Sequence, residues 1–95
     1  MKLKELEKNI LEKINLNLKK FETLDDAIIE TIENLSKDFY FLNHYTSWPD
    51  GRGGDILSAH FKIDNKYYCC MFYDENLINL KEITKEIYEK DNPFN

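Results

Sequence analysis

His60 and Cys69 are the residues whose types and spacing come nearest to chemistry, because a thiol and an imidazole together can act as nucleophile and base. If Asp64 and Asn65 form a two-residue turn between two strands, His60 lies directly opposite Cys69, within the ~5 Å that separates cross-strand Cβ atoms. Against catalysis, both residues sit in mid-strand rather than at a helix terminus, and no Asp or Asn is spaced to orient the imidazole. A free cysteine is commonly a small apolar filler. His44 is a third ligand type for a metal, but spacing alone does not bring its strand into register with the other two. Cys69 and Cys70 are adjacent, which suits neither an ordinary loop-closing disulfide nor the CxxC pair of a zinc site. No catalytic residue, no metal ligand and no cofactor are therefore expected.

Recognition is the better-supported chemistry. The segment from Trp48 to Asp55 holds all three glycines, one of the two prolines, the single tryptophan and Arg52, the single arginine. Glycine permits unusual backbone angles and close approach, while a guanidinium matches carboxylate or phosphate. Trp48, Asp50 and Arg52 are accordingly expected to contact a partner; the plainer alternative is a connecting loop in which Arg52 pairs with Asp50 or Asp55. GRGG is not a phosphate-binding motif, since it matches neither GxxxxGK[ST] nor GxGxxG. A second candidate is a row of carboxylates, Glu22, Asp26, Glu30 and Glu33, which could stand in for phosphates in a partner's basic groove. The simpler reading of that row is a solvated helix face set against a basic neighbour.

These residues must be carried by a small set of elements. Leu3, Leu6, Ile10, Ile14, Leu18 and Phe21 recur at spacings of three and four, which predicts an amphipathic helix over about 2–20. Its remaining surface is basic, with six Lys against three Glu in residues 1–20. Thr23 as an N-cap, with Asp26 three residues on, opens a second helix over about 24–36. Residues 22–38 hold six carboxylates and one lysine, so its outer face is acidic. From Asp38 the period falls to two, predicting strands over about 39–46, 56–63 and 67–73. With Asp64-Asn65 as a type I′ turn, Leu57, Ala59, Phe61, Ile63, Tyr68, Cys70 and Phe72 share the core face. The opposite face then shows Ser58, His60, Lys62, Tyr67, Cys69, Met71 and Tyr73, joined by Tyr40, Leu42 and His44 if Phe39, Phe41 and Tyr45 of the first strand point to the core. That surface is too aromatic to be left in water, and Tyr40, Tyr67, Met71 and Tyr73 are expected to contact a partner unless a loop or helix covers them. Asn79 as a cap, Glu82 at the capping-box position and Ile78 with Ile83 as a staple predict a last helix over about 80–91 that buries Leu80, Ile83 and Ile87 and stops at Pro93. The expected fold is one α+β domain: two N-terminal helices, a three-stranded antiparallel meander and a C-terminal helix, with the helices mainly on one sheet face.

Composition limits what such a domain can do. At 95 residues there is room for one core, and the balance of 13 basic to 18 acidic residues, net −5, argues against direct nucleic-acid binding. No apolar run approaches the ~18 residues of a membrane span, and MKLKELEKNI lacks the apolar stretch of a secretory leader, so no membrane partner and a cytoplasmic location are expected.

A helix, a meander with the short polar turn Lys62-Ile63-Asp64-Asn65-Lys66 and a final helix, over about residues 38–90 of a small acidic chain, resembles some anti-CRISPR proteins in element order. These are non-enzymatic phage inhibitors that block nucleic-acid grooves on Cas nucleases, so the resemblance implies an inhibitor of a nucleic-acid-binding protein. The extra helix at the start and the moderate acidity depart from that pattern. The order is also similar to a double-stranded-RNA-binding domain, whose lysine cluster at the start of the last helix has no counterpart in Asn79-Leu80-Lys81-Glu82-Ile83. The function expected is a small protein-binding module, an inhibitor or adaptor. A housekeeping or immunity-type domain that forms a homodimer through the same sheet face is the alternative, and a Cys-His enzyme comes third.

Overall fold

The first apolar stripe folds as its spacing predicts. In the computed structural model, which describes residues 2–47, 49, 51, 53–73 and 76–94, helix α1 spans Leu3–Asn17 and buries Leu6, Ile10 and Ile14. It stops earlier than the stripe suggests, passing into a turn in which Lys19 N and Lys20 N donate to the Leu16 and Asn17 carbonyls, and the Asn17 amide donates to Thr31 Oγ1 at 2.9 Å. Thr31 is itself fully buried and donates to the Ala27 carbonyl at 2.8 Å, so the polar relay is satisfied inside an apolar seam. Helix α2, Leu24–Leu35, begins at the expected cap, where Thr23 Oγ1 accepts from Asp26 N at 3.2 Å.

Four strands follow, β1 (Asp38–Ser47), β2 (Gly53–Ile63), β3 (Lys66–Tyr73) and β4 (Asn76–Ile83), paired antiparallel in the order β1-β2-β3-β4. The β2–β3 turn is Asp64-Asn65, with Ile63 opposite Lys66 as expected. Only Asp64 has a positive φ, 57°, so the turn is not the type I′ form, which needs both residues there. Leu57, Ala59, Phe61, Tyr68, Cys70 and Phe72 point to α1 and α2 and close the core with Ile10, Ile28 and Ile32.

The end of the chain corrects the expected meander. Residues 76–83 form a fourth strand and not the start of a helix, and Asn79 and Glu82 lie in its ladder opposite Met71 and Tyr68. Leu77 and Leu80 are three apart, a helical spacing that would normally place them on opposite faces of a strand. A register shift between Met71 and Phe72 absorbs one extra residue, Ile78, so that Leu77 faces Phe72, Leu80 faces Cys70, and both pack on the core. The last helix, α3, is short, Lys85–Asp91, and is capped by Thr84 Oγ1, which accepts from Ile87 N at 3.2 Å.

The position of α3 is the second correction. It lies on the sheet face opposite α1 and α2: the Tyr88 ring stacks on Tyr40 with centroids 5.1 Å apart and tilts on Tyr67 at 4.9 Å. Tyr40 Oη donates to the Tyr88 carbonyl at 2.8 Å. The face expected to be open is therefore partly roofed, and Tyr40 is only 2% exposed. Ile83 and Ile87 are not a buried helical stripe; Ile83 pairs opposite Tyr67, and Ile87 is largely exposed. Among the described residues no helix is long and apolar enough to cross a membrane.

Candidate functional site

Roofing half of a sheet face leaves a step where the roof ends. Between α3 and the uncovered sheet is a cleft of about 300 Å³. Ser58 and His60 from β2 and Cys69 and Met71 from β3 make its floor, which alternation of side chains along each strand puts on one face. Leu42 and His44 from β1, Lys81 and Ile83 from β4, and Ile87 and Asp91 from α3 form the walls.

His60 is opposite Cys69, as the turn requires, and the two are 5% and 3% exposed. The His60 ring meets the Tyr40 ring edge-on with centroids 4.6 Å apart. His60 Nδ1 is buried with no hydrogen-bond partner. Burial holds the His60 pKa below its ordinary value; the Asp91 carboxylate opposes that shift and His44 adds to it. Burial pushes the Cys69 thiol up, with Lys81 opposing and Asp91 adding. A raised thiol pKa favours the protonated form of Cys69, which is not the nucleophile. The Ser58 hydroxyl is fully buried, 3.4 Å from His44 Nε2 and 3.3 Å from the Leu42 carbonyl, so it is held by the sheet and not presented to the cleft mouth. Among the described residues no group of three or more His, Cys, Asp or Glu is placed to hold a metal ion.

A search of family models, curated proteins and solved structures finds no match to this chain. The site's reading therefore rests on its own geometry.

Of the residues expected to contact a partner, Tyr40 lies under α3 and Tyr67 is half-buried against Tyr88, with Lys62 Nζ 5.6 Å from its ring centre. Met71 is half-buried in the cleft floor. Tyr73 is half-buried over Gly54, where an added Cβ would come within 2.7 Å of its ring. Trp48, Asp50 and Arg52 lie outside the described residues. On the acidic row, Glu22, Asp26 and Glu33 are exposed, while Glu30 is half-buried and accepts from Asn34 Nδ2 at 3.2 Å. Among the described residues no ion pair joins that row to α1; the two helices meet through apolar packing and the Asn17 to Thr31 hydrogen bond.

The cleft walls Lys81, Ile83, Ile87 and Asp91 escaped sequence reasoning, because 80–91 reads as one helix there. One signal was available: Thr84 is a favoured N-cap residue directly before the helix former Lys85 and an acidic first-turn residue, Glu86.

Proposed function

We propose that the chain is a small non-enzymatic protein-binding module, an inhibitor or adaptor, that takes a partner side chain into the cleft beside α3. The observation that carries this reading is the cleft's make-up: apolar walls from Leu42, Ile83 and Ile87, a floor that includes the half-buried Met71, and single opposite charges, Lys81 and Asp91, at its margin. Concave apolar surface with a few polar groups is how proteins anchor a partner's side chain, and a polar rim adds orientation. The raised Cys69 pKa supports a binding role over a thiol nucleophile. Trp48 and Arg52 join the contact surface on the strength of their residue types. A nucleic-acid-binding enzyme as the target is the specific form that the anti-CRISPR-type resemblance implies.

The test is capture of a partner from a lysate of the source host by the full chain, compared among three baits. Met71→Lys with Ile87→Glu should lose a partner that the wild-type chain captures, because an anchored side chain is typically worth ~2 kcal/mol or more. Reversal of Asp26, Glu30 and Glu33 to lysine should leave capture intact. If the acidic reversal abolishes capture and the cleft variant does not, the contact is charge mimicry along α2 and the cleft reading is wrong.

A further inference from the structure

The sheet has two edges, and they are guarded differently. An unpaired strand edge is a template for another chain, and proteins blunt it with charge, proline, bulges or shortness. Strand β4 has the register shift at Ile78 and carries Lys81 and Glu82. Strand β1 has none of these devices. It is ten residues long, its register with β2 runs unbroken from Asp38 opposite Lys62 to Ser47 opposite Gly53, and it contains no Asp, Glu, Lys, Arg or Pro after Asp38. Among the described residues it has a strand neighbour on one side only. Tyr45, near its end, is 74% exposed.

The direction of the free peptide groups can be read from side-chain contacts. Ser58, which is opposite Leu42, reaches the Leu42 carbonyl, so that peptide group points toward β2. Ser36 Oγ likewise lies within reach of both the Asp38 and Lys62 carbonyls, which places Asp38 in the same inward set. In an antiparallel strand the N–H and C=O of one residue point to one side and alternate along the chain. The outward groups therefore belong to Phe39, Phe41, Asn43, Tyr45 and Ser47, a set symmetric about Asn43.

We propose that β1 pairs antiparallel with β1 of a second copy about a two-fold axis at Asn43, joining the two sheets into one. This interface borders the cleft, since Leu42 and His44 of β1 wall it, but it is made by the backbone edge of β1 and does not require the cleft reading. About that axis Asn43 faces Asn43, Phe41 faces Tyr45 and Phe39 faces Ser47. Every outward residue then meets an outward residue, as the hydrogen-bonded pairs of an antiparallel ladder require. Each exposed Tyr45 gains an aromatic cross-strand neighbour, and no like charges fall opposite one another between Phe39 and Ser47. A second copy fits because the strand's own residues complement one another about Asn43, Phe41 against the exposed Tyr45 with no charge in between, and a two-fold contact needs only one self-complementary patch.

Sedimentation equilibrium of the full chain tests the pairing through charge at the axis. The wild-type chain should dimerise. Asn43→Lys and Asn43→Glu alone each place like charges face to face and should raise the dimer dissociation constant about fivefold or more. An equimolar mixture of the two should restore association as a heterodimer, which also shows that both variants fold. Met71→Lys, in the cleft, should leave the dimer unchanged, so failure of this interface and failure of the cleft reading are distinguishable. A wild-type chain that stays monomeric at high concentration overturns the proposal. So does a dimer that neither single variant weakens, or a loss that mixing does not repair.

Discussion

Tyr88→Ala should release α3 from the sheet while leaving the rest of the fold in place. Helix α3 has seven residues, too few to persist alone in water, so its order depends on docking. Tyr88 is the buried residue of that helix and contacts both Tyr40 and Tyr67. Truncating a buried aromatic to alanine removes about 3–5 kcal/mol of favourable packing, and the two ring contacts contribute about 0.5–1.5 kcal/mol each within that. Undocking also breaks the Tyr40 to Tyr88 hydrogen bond, worth about 1 kcal/mol net. A loss of that size exceeds what a single short helix can hold, so opening of α3 should become nearly free. The core of α1, α2 and the other sheet face shares no side chain with Tyr88, so global unfolding should fall by no more than the original energy of α3 docking. Native-state hydrogen exchange reads both quantities: the Tyr88 amide, bonded to the Thr84 carbonyl in the wild type, reports the helix, and the Phe61 and Cys70 amides in the central strands report the core. In the variant the helix amide should lose its protection and the central-strand amides should keep most of theirs. If both lose protection equally, α3 is part of the global folding unit and the reasoning fails.

Four other outcomes follow from local features of the fold. Because burial lowers the His60 pKa from 6.5, the unfolded chain takes up a proton that the native fold resists; stability should hold above pH 6.5 and fall below it, at up to about 1.4 kcal/mol per pH unit, and denaturant titrations of His60→Leu should lack that acid loss. Burial raises Cys69 from 9.0, so the unfolded chain ionises first and stability should decline again as pH rises above 9.0. Gly54→Ala drives a Cβ to 2.7 Å from Tyr73 Cε2 and should cost about 1–3 kcal/mol in chemical unfolding, most of it absent in a Tyr73→Ala background. Deleting Ile78 should be tolerated, since Leu77 and Asn79 then follow one another opposite Phe72 and Met71, whereas deleting Lys81 turns Leu80 off the core and should lower the melting temperature by several degrees.

Local signals decided much of this protein. The spacing of Leu6, Ile10 and Ile14, the Thr23 cap, the alternation of β2 and β3 and the Asp64-Asn65 turn each act within a few residues, and together they set the core face and the His60 to Cys69 pairing. Residues 76–83 were decided elsewhere. Asn79, Glu82 and the three-residue spacing of Leu77 and Leu80 satisfy the local rules for a helix, but the free edge of β3 supplied a ladder of backbone partners, and one bulged residue turned both leucines onto the core. Once those residues became a strand, a helix could begin only at Thr84, and Pro93 after its C-cap limits it to the small helix that crosses to the other face. The cleft walls formed by Lys81, Ile83, Ile87 and Asp91 exist only because of that crossing. Periodicity reports what a segment prefers alone; the hydrogen bonds and apolar surface offered by a distant strand are not written in it, and here they outweighed the preference.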